Sequence, residues 1–333
     1  MERILIIQTA FIGDVVLATP LVEKLHHIFP SAKIDFLLRK GNETLLENHP
    51  FINEVIIWNK KENKTRNLFR IRKQLKSKKY DLIVNTHRFA SSGFLTAFSG
   101  AEKTSGFSKN PFSLFFSRKV KHIIGKADHP VHEIDRNLTL IDFIGNKERF
   151  LPRLYPGKND FEKVQEFKTQ EYICIAPASV WFTKQYPAEK WIELIKAFDK
   201  KYKIILVGSD NDKILCDEII KDSGLPEALN LAGDLSLLQT AALMRDAVMN
   251  YVNDSAPLHI ASAMNAPVTA VFCSTVPDFG FGPLSEKSYI AETGQQMECR
   301  PCGLHGFKAC PENHFECAYS IDNKKLIASA EEN

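Results

Sequence analysis

The 333-residue sequence contains no apolar run that approaches the roughly 20 residues of a membrane-spanning helix. Met1, Glu2 and Arg3 lead directly into the short apolar stretch 4–7, which polar Gln8 follows. This pattern is typical of a strand and lacks the longer apolar core of a secretory signal. We therefore expect a cytoplasmic protein whose membrane association is limited to peripheral contact with the inner face of the cytoplasmic membrane.

The sequence also lacks the G-x-G-x-x-G fingerprint of dinucleotide binding. The turn after the first apolar stretch, residues 9–16, holds a single glycine, Gly13, which Asp14 follows. This absence argues against a nicotinamide-dependent enzyme. We also expect no nucleic-acid partner.

Length and composition predict a globular protein of two domains. The chain is longer than one average domain, and its 44% apolar and 25% charged residues are ordinary globular values. Apolar strands alternate with helical patterns in both halves, which is typical of parallel sheets covered on both faces. We expect an α/β protein in which two doubly wound domains, 1–155 and 170–333, face a cleft, with a polar linker and short helix at 152–170.

The predicted elements follow this alternation. In the first half we predict strands 3–8, 33–38, 54–58 and 81–86 and helices 15–29, 44–48 and 67–77. Glycine and proline interrupt residues 87–150, where no regular alternation is visible. In the second half we predict strands 172–176, 203–207, 248–252 and 267–272 and helices 188–200, 212–221, 236–245 and 256–264.

Charge is divided unevenly between the halves. Residues 1–150 hold 25 Lys and Arg against 15 Asp and Glu, whereas residues 151–333 hold 18 against 25. Ten basic residues crowd into one stretch: Lys60, Lys61, Lys64, Arg66, Arg70, Arg72, Lys73, Lys76, Lys78 and Lys79. They form either a solvated helix face or a surface that attracts anionic lipid headgroups and acidic acceptor sugars. The aromatic-rich segment 89–116 either adds an apolar membrane-facing patch or belongs to the core.

The stretch 247–263 joins an apolar strand to an alanine-rich helix. Ser255 is a suitable N-cap, and Pro257 is tolerated in the first turn, where its missing N–H needs no partner. Asp254 and Ser255 then lie at a helix N-terminus, which favours anions. His259 falls on the first turn and points back towards this site. The alternative is an ordinary helix cap beside a packed histidine.

Three more charged residues follow predicted strand ends, where ligands of doubly wound sheets bind. Asp14 suits a general base, although an N-cap would use the same residue. Lys184 suits neutralisation of a phosphate, although most lysines lie on the surface without a ligand. Asp210 suits hydrogen bonds to ribose hydroxyls, with a helix cap as the alternative.

Each of these signals is weak, but their combination is specific. The segments are Gly13-Asp14, His132-Glu133-Ile134-Asp135-Arg136-Asn137, Thr183-Lys184, Gly208-Ser209-Asp210, Leu231-Ala232-Gly233 and Asn253-Asp254-Ser255-x-x-x-His259. Over nearly the whole chain, their order and the strands around them resemble glycosyltransferase family 9, the ADP-heptose:lipopolysaccharide heptosyltransferases. Two positions depart from the family pattern: Ala256 stands where glycine is usual, and Asp210 where glutamate is more usual.

The resemblance implies the GT-B fold, with two Rossmann-like domains and the active site between them, the first for the acceptor and the second for the nucleotide sugar. It implies that Asp14 is the general base, that Lys184 binds the donor diphosphate and that Asp210 meets the donor ribose. The remaining implied donor-site residues are Thr183, Asp254, Ser255, Ala256 and His259. The candidates on the acceptor side are Gly13, Arg88, His132 and Arg136.

Four of the seven cysteines cluster late in the chain: Cys299, Cys302, Cys310 and Cys317. In a reducing compartment, close cysteines favour a metal over disulfides, and His305 and His314 lie between them. The last two cysteines lack the C-x2-C spacing of the first two. Because relatives of the family carry similar Cys-rich tails, we treat the cluster as a candidate structural zinc site, and catalysis would need no cofactor.

We therefore predict an inverting glycosyltransferase that moves a heptose or related sugar from a nucleoside-diphosphate donor, ADP-heptose, to a lipid-linked lipopolysaccharide core acceptor. Asp14 would remove the proton from the acceptor hydroxyl, and Lys184 with the helix start at Ser255 would stabilise the leaving diphosphate. Two alternatives stay open. One is a non-catalytic nucleotide-sugar binding protein, which the Ala256 departure favours, and the other is a nucleotide-sugar epimerase on the same fold.

Overall fold

The computed structural model of the chain describes residues 1–198 and 201–332. The chain divides into two compact units. Unit 1 comprises Met1–Gly125 and Val131–Tyr155, and unit 2 comprises Lys126–Pro130 and the chain from Pro156 onward. The main boundary therefore lies inside the polar stretch 152–170.

Unit 1 is built on a parallel sheet with the strand order β3-β2-β1-β4-β5-β6. Its strands are β1 (Arg3–Ile7), β2 (Lys33–Arg39), β3 (Ile52–Trp58), β4 (Leu82–Asn85), β5 (Lys103–Phe107) and β6 (Arg118–Val120). Its helices are α1 (Ile12–Val16), α2 (Thr19–Ile28), α3 (Lys64–Lys78), α4 (Ala90–Ala97) and α5 (Glu133–Thr139).

Unit 2 is built on a second parallel sheet, with the order β12-β11-β10-β7-β8-β9. Its strands are β7 (Tyr172–Ala176), β8 (Lys203–Leu206), β9 (Leu229–Asn230), β10 (Met249–Asn253), β11 (Val268–Phe272) and β12 (Ser288–Glu292). Its helices are α6 (Lys158–Val164), α7 (Ala188–Ala197), α8 (Lys213–Ser223), α9 (Leu237–Arg245), α10 (Ala256–Ala263), α11 (Glu316–Tyr319) and α12 (Asn323–Glu331). Because α6 packs against α9, the chain joins unit 2 before β7 begins.

The central strands are apolar because crossover helices cover both faces of each sheet. Every residue of β7, β10 and β11 is buried. In unit 2, Trp191 and Tyr251 belong to the buried core, and in unit 1 Trp58 and Leu75 do so. The predicted α/β class with parallel sheets is therefore confirmed.

The predicted helix 15–29 is instead divided into α1 and α2. Pro20 lies in the first turn of α2 and has no N–H to continue the hydrogen bonding of α1. The carbonyl of Val16 accepts the hydroxyl of Thr19 at 2.7 Å instead. A proline after a threonine thus ends one helix and starts the next.

Several short elements were not predicted. Residues 87–150 contain α4, β5, β6 and α5, and β6 has only three residues, too few for a periodic pattern. The strand β12 is half-exposed at the sheet edge. The predicted helix 188–200 ends at Ala197 as α7, and its last two residues, 199 and 200, lie outside the described residues.

The last helix, α12, is tied to the middle of the unit 2 sheet. The Tyr251 hydroxyl donates to the carbonyl of Leu326 at 2.7 Å, and the hydroxyls of Thr269 and Ser329 lie 2.6 Å apart. These contacts join α12 to β10 and β11, so the helix is part of the domain core. Across the described residues, no helix has the length and apolar character needed to cross a membrane.

Candidate active site

The carboxyl ends of the unit 2 strands bring two predicted donor residues into one ion pair. Lys184 ends a short 3-10 turn, Phe182–Lys184, after β7, and Asp254 directly follows β10. The Lys184 Nζ lies 2.6 Å from the Asp254 Oδ2, and the two side chains are only 14% and 6% exposed. The sequence predicted each residue at the donor site, and the structure adds their direct contact.

Contacts from β11 and its following loop hold Asp254. The Thr275 hydroxyl donates to the Asp254 Oδ2 at 2.7 Å, and the Asp254 N–H donates to the carbonyl of Val271 at 3.1 Å. Thr275 was not predicted, because only its position after a strand marks it in the sequence. The Asp254 carboxylate therefore interacts with both the Lys184 ammonium and the Thr275 hydroxyl.

One buried side chain fixes the loop that carries Lys184. The Asn253 Nδ2 donates to the carbonyl of Pro177 at 2.8 Å, and its Oδ1 accepts the Tyr186 N–H at 2.9 Å. Both ends of the loop 177–186 are thus attached to the end of β10. Asn253 was part of the sequence motif, but its role in holding the loop needs the tertiary structure.

Thr183, predicted to contact the donor, is enclosed. The residue is 1% exposed, and its Oγ1 accepts the Phe307 N–H at 2.8 Å and the Ser274 hydroxyl at 3.0 Å. These bonds direct the hydroxyl towards later parts of the chain within unit 2.

The start of α10 differs from the predicted serine cap. Ser255 has the extended backbone of an N-cap, but its hydroxyl donates to the carbonyl of Asn253 at 3.3 Å and caps no helix amide. The eight-residue helix α10 starts at Ala256, with Pro257 in its first turn as predicted. His259 is 5% exposed and its ring centroid lies 6.2 Å from that of Phe281, so the histidine is largely packed.

Asp210 lies exposed on the 3-10 turn Asp210–Asp212 after β8. The helix cap is made by Asp212, whose Oδ2 accepts both the N–H and the hydroxyl of Ser209 at 2.7 Å. The capping alternative therefore applies to Asp212 and not to Asp210. Gly233, at φ +80°, approaches so closely that a Cβ there would lie 2.8 Å from the Asp210 Cα, which explains this glycine.

In unit 1, Asp14 lies in α1 beside buried Gly13. Its Oδ2 accepts the Phe11 N–H at 3.1 Å, so the capping alternative is realised. The Asp14 side chain is nevertheless half-buried and not enclosed. A cap through one oxygen is compatible with a second role for the carboxylate.

Of the predicted acceptor candidates at α5, Arg136 is buried and His132, at the N-cap, is half-buried. Arg136 is 3% exposed, and its guanidinium donates to the Glu133 Oε2 at 2.7 Å and to the carbonyl of Val131 at 2.6 Å. Burial raises the pKa of Glu133, and the nearby charge of Asp14 adds to this while Arg136 opposes it. His132 accepts the Ile134 N–H at 3.3 Å and caps α5. Arg136 therefore pairs with Glu133 inside the unit, and its predicted acceptor contact stays a prediction.

Lys60 belongs to the carboxyl edge of the unit 1 sheet and not to the basic helix. Its Nζ donates to the Thr9 carbonyl at 2.7 Å and to the Thr9 Oγ1 at 3.0 Å, and it lies 4.7 Å from the centre of the Trp58 ring. The Thr9 Oγ1 is 3.3 Å from the His87 Nδ1. The sequence showed Lys60 only as one member of a basic run.

Positive charge dominates this edge. Burial and the nearby charges of Arg39 and Lys64 lower the pKa of Lys60 to about 8. Burial and the charges of Lys60 and Arg88 lower the pKa of His87 to about 3, so this histidine is neutral at pH 7. Arg88, an acceptor-side candidate, is half-buried and contributes to this field. Such a potential favours an anionic ligand.

The basic run divides into half-buried and exposed members. Lys78 is an ion-pair partner of Asp35, at 3.2 Å, and of Glu54. Arg72 donates from its Nε to the carbonyl of Phe98 at 3.1 Å. The exposed basic residues of α3, which contains no acidic residue, are Lys64, Arg66, Arg70, Lys73 and Lys76.

Phe69 of α3 and five residues of the segment 89–116 form the aromatic patch. The five residues are Phe94, Phe98, Phe112, Leu114 and Phe115. Its ring centroids lie close together, at 5.6 Å for Phe69 and Phe94 and 5.8 Å for Phe98 and Phe115. Leu114 and Phe115 are 80% and 62% exposed, whereas Phe107 is buried. The segment 89–116 therefore supplies both core and surface.

The clustered cysteines are free thiols, with Cys317 buried and the other three half-buried. The Cys299 Sγ lies 4.0 Å from the His314 Nε2, and the Cys302 Sγ donates to the Cys299 carbonyl at 3.1 Å. Burial and then Cys302 raise the pKa of Cys317 to about 12. Within residues 1–198 and 201–332, no three or more His, Cys, Asp or Glu side chains are arranged to hold a metal ion. The zinc site therefore stays a prediction.

Comparisons with known proteins find relatives in sequence and solved structures with a similar fold. Lipopolysaccharide heptosyltransferase 3 of Escherichia coli is 29% identical over 279 residues, covering 80% of this chain and 82% of the relative. The crystal structure of a family 9 glycosyltransferase from Veillonella parvula superposes with a TM-score of 0.86 at 22% identity, covering 99% and 96% of the two chains. The structure of E. coli ADP-heptose lipopolysaccharide heptosyltransferase II gives 0.78 at 21% identity, covering 100% and 99%.

These likenesses confirm the GT-B fold class. The family model for glycosyltransferase family 9 (heptosyltransferase) matches residues 68–305, well over half of the chain. The match includes the segments that carry Lys184, Asp210 and Asp254. The chain belongs to glycosyltransferase family 9, a family of transferase enzymes.

Proposed function

We propose that the protein transfers a heptose from ADP-heptose to a lipopolysaccharide core acceptor, with inversion at the anomeric carbon. The observation that carries the proposal is the Lys184–Asp254 ion pair beside the N-terminus of α10. A diphosphate is well matched by one lysine and the positive end of a helix. The name of the E. coli relative, a lipopolysaccharide heptosyltransferase, supports the choice of sugar and acceptor.

In this proposal unit 2 binds the donor. Lys184 contacts the diphosphate, the exposed Asp210 accepts hydrogen bonds from the ribose, and the residues from Asp254 to His259 line the remainder of the site. The E. coli structural neighbour is named for ADP-heptose, which supports this nucleotide sugar. Asp254 orients Lys184 through their contact.

The reaction needs one base and stabilisation of one leaving group. Asp14 takes the proton of the acceptor hydroxyl, and the hydroxyl oxygen forms a bond to the anomeric carbon. The bond from that carbon to the diphosphate breaks, and ADP leaves with the electron pair. Lys184 and the α10 terminus stabilise the charge that develops on ADP, so these residues can supply that role without a metal. Attack opposite to the leaving group inverts the configuration.

Unit 1 binds the acceptor in this proposal. Asp14 follows β1, and Lys60 attaches to Thr9 in the same turn, so the base and the positive edge belong to one segment. The charges of Arg39, Lys60 and Arg88 suit the acidic groups of a phosphorylated or carboxylated sugar.

We further propose that the exposed face of α3 and the aromatic patch touch an anionic membrane surface. Exposed rings can enter the interfacial layer while the neighbouring lysines and arginines attract lipid phosphates. Arg72 attaches α3 to the patch through the carbonyl of Phe98, so both contribute to one surface of unit 1. Contact of this kind would place a cytoplasmic enzyme next to its lipid-linked acceptor.

We expect Asp14→Asn to lower kcat by about 100-fold or more, the usual scale for loss of a general base. Asparagine can still accept the Phe11 N–H, so the cap and the melting temperature should change little. Titration with ADP should give an unchanged dissociation constant. Unaltered turnover in this variant would remove Asp14 from the mechanism. Epimerisation of the nucleotide sugar without an acceptor would point to the alternative epimerase activity.

We expect Lys73→Glu combined with Lys76→Glu to weaken binding to anionic vesicles and raise the acceptor KM, because each basic residue near such a surface contributes roughly 1 kcal/mol. Donor affinity should hardly change. The effect should shrink as salt rises, since exposed charges are screened beyond about 10 Å. Sedimentation with vesicles of defined anionic content, at two salt concentrations, measures this.

The matched control is Lys196→Glu with Lys221→Glu, which changes the net charge equally on exposed helical positions of unit 2. These substitutions should leave vesicle binding intact. Lys184→Ala should show the opposite pattern to the α3 variant, with lower donor affinity and rate but normal vesicle binding. Loss of nucleotide binding in the α3 variant, with vesicle binding retained, would reverse the assignment of the two units.

We also propose the structural zinc, and expect about one zinc per chain in protein purified without added metal, as four-thiolate sites hold. Elemental analysis measures it. Replacing Cys302 and Cys310 by serine should remove the metal, whereas Cys216→Ser, a buried thiol elsewhere in unit 2, should not. A metal-free protein whose three half-buried thiols, Cys299, Cys302 and Cys310, react readily with a thiol reagent would leave these cysteines with a packing role alone.

A further inference from the structure

The late segment 297–317, which carries the four clustered cysteines, reaches the turn that holds Lys184. The Thr183 N–H donates to the carbonyl of Phe307 at 3.1 Å, and the Phe307 N–H donates back to the Thr183 Oγ1 at 2.8 Å. Thr183 directly precedes Lys184. The backbone of one segment thus pairs with the residue next to the proposed diphosphate contact.

Gly306 makes this approach sterically feasible. It has a φ of +75°, and a Cβ there would lie 2.9 Å from the Thr183 Oγ1 and 3.2 Å from the Lys184 Cγ. A side chain at 306 would push against both residues, and it would also strain the backbone. The segment therefore packs directly on the stem of Lys184.

The same segment holds the loop that carries Thr275. The Arg300 guanidinium donates to the carbonyls of Cys273, at 2.8 Å, and Thr275, at 2.9 Å, and it pairs with Glu292 at 2.6 Å. The Cys302 N–H donates to the carbonyl of Ser274 at 2.8 Å. Three successive carbonyls of one loop are thus attached to the late segment.

Two residues of that loop contact Asp254 and the residue that precedes Lys184. Thr275 donates to the Asp254 carboxylate, and Ser274 donates to the Thr183 Oγ1 while its N–H donates to the Thr183 carbonyl at 3.2 Å. Two routes therefore lead from the segment 297–317 to the ion pair. One passes through Thr183 to Lys184, and the other passes through Thr275 to Asp254.

We propose that the segment 297–317 is a brace for the donor site, and that Thr183 and Arg300 are positioning residues that set the place of the Lys184 ammonium. This inference rests on the proposed role of Lys184 in binding the diphosphate. Thr183 acts through its hydrogen bonds and not by contact with the donor. Nothing in the segment needs to touch the nucleotide for the brace to control its affinity.

The test is ADP binding to the full chain, measured by calorimetry, for Thr183→Val and Thr183→Ser. Valine keeps the shape but leaves the Phe307 N–H without its acceptor, so the ADP dissociation constant should rise about tenfold, as for one lost buried hydrogen bond. Serine keeps the hydroxyl and should bind ADP within about twofold of the unchanged protein. The acceptor KM should stay constant in both variants.

Thr269→Val is the matched control. Thr269 is equally buried in unit 2, and its hydroxyl pairs with Ser329 far along the chain from the donor loops. This variant should lose stability without losing ADP affinity. Arg300→Lys gives a second variant, because lysine keeps the charge but cannot span the same carbonyls, and it should also weaken ADP binding several-fold.

A double-mutant cycle with Lys184→Met distinguishes an effect of Thr183 that acts through Lys184 from a non-specific disturbance of the fold. If Thr183 acts through Lys184, its replacement by valine should change ADP binding by less than about twofold once Lys184 is absent. Equal losses with and without Lys184, or normal ADP affinity in Thr183→Val and Arg300→Lys, would overturn the brace while leaving the proposed function intact. Normal ADP affinity in Lys184→Met alone would instead overturn the proposed diphosphate contact, and the brace with it.

Discussion

The ion pair between Lys184 and Asp254 is the interaction on which the other contacts at the carboxyl edge of the unit 2 sheet depend. Both groups are largely removed from water, and an isolated buried charge would cost several kcal/mol. Thr275 donates a hydrogen bond to the Asp254 carboxylate, and Asn253 donates one to the loop that carries Lys184. The pair also constrains binding, because a diphosphate that reaches Lys184 meets the negative charge of Asp254 at the same place. If Lys184 binds the donor diphosphate as proposed, donor binding would be a partial exchange of ion-pair partners, in which the charge of Asp254 limits the affinity.

The corresponding edge of unit 1 has a different charge arrangement, in which Lys60 lies near the positive charges of Arg39 and Lys64. Burial, and then the neighbouring positive charges, lower the pKa values of Lys60 and His87, and a bound anion would stabilise the charged form of each group. Since the pKa of Lys60 is about 8, its positive charge is largely present at pH 7 and is lost as the pH rises through that value. An acceptor anion would raise this pKa and keep Lys60 charged. If unit 1 binds the acceptor and unit 2 the donor, as proposed, the two substrates would meet edges with different charge arrangements.

The central strands and most helices could be predicted from the sequence because long apolar runs and helical periodicity are local signals. The Lys184 and Asp254 positions were also predictable, since both follow strands. What could not be predicted was the pairing of parts that are distant in the sequence: Lys60 with Thr9, Thr183 with Phe307, and Arg300 with the carbonyls after β11. Such contacts depend on which distant segments the fold brings together, and the local sequence around either partner carries no signal of the other.

The attachment of α12 to β10 and β11 has a consequence for the order of folding. A chain leaves the ribosome from its first residue onward, and domains tend to fold as they emerge. The sheet of unit 1 is complete by Val120, except for its packing against α5. Unit 2 lacks an edge strand, a core helix and the supports of Lys184 until residues 288–331 have been made. A nascent chain would therefore contain a folded unit 1 while unit 2 is still incomplete. If unit 2 binds the donor as proposed, the capacity to bind nucleotide would arise only after residues 288–331 have been synthesised.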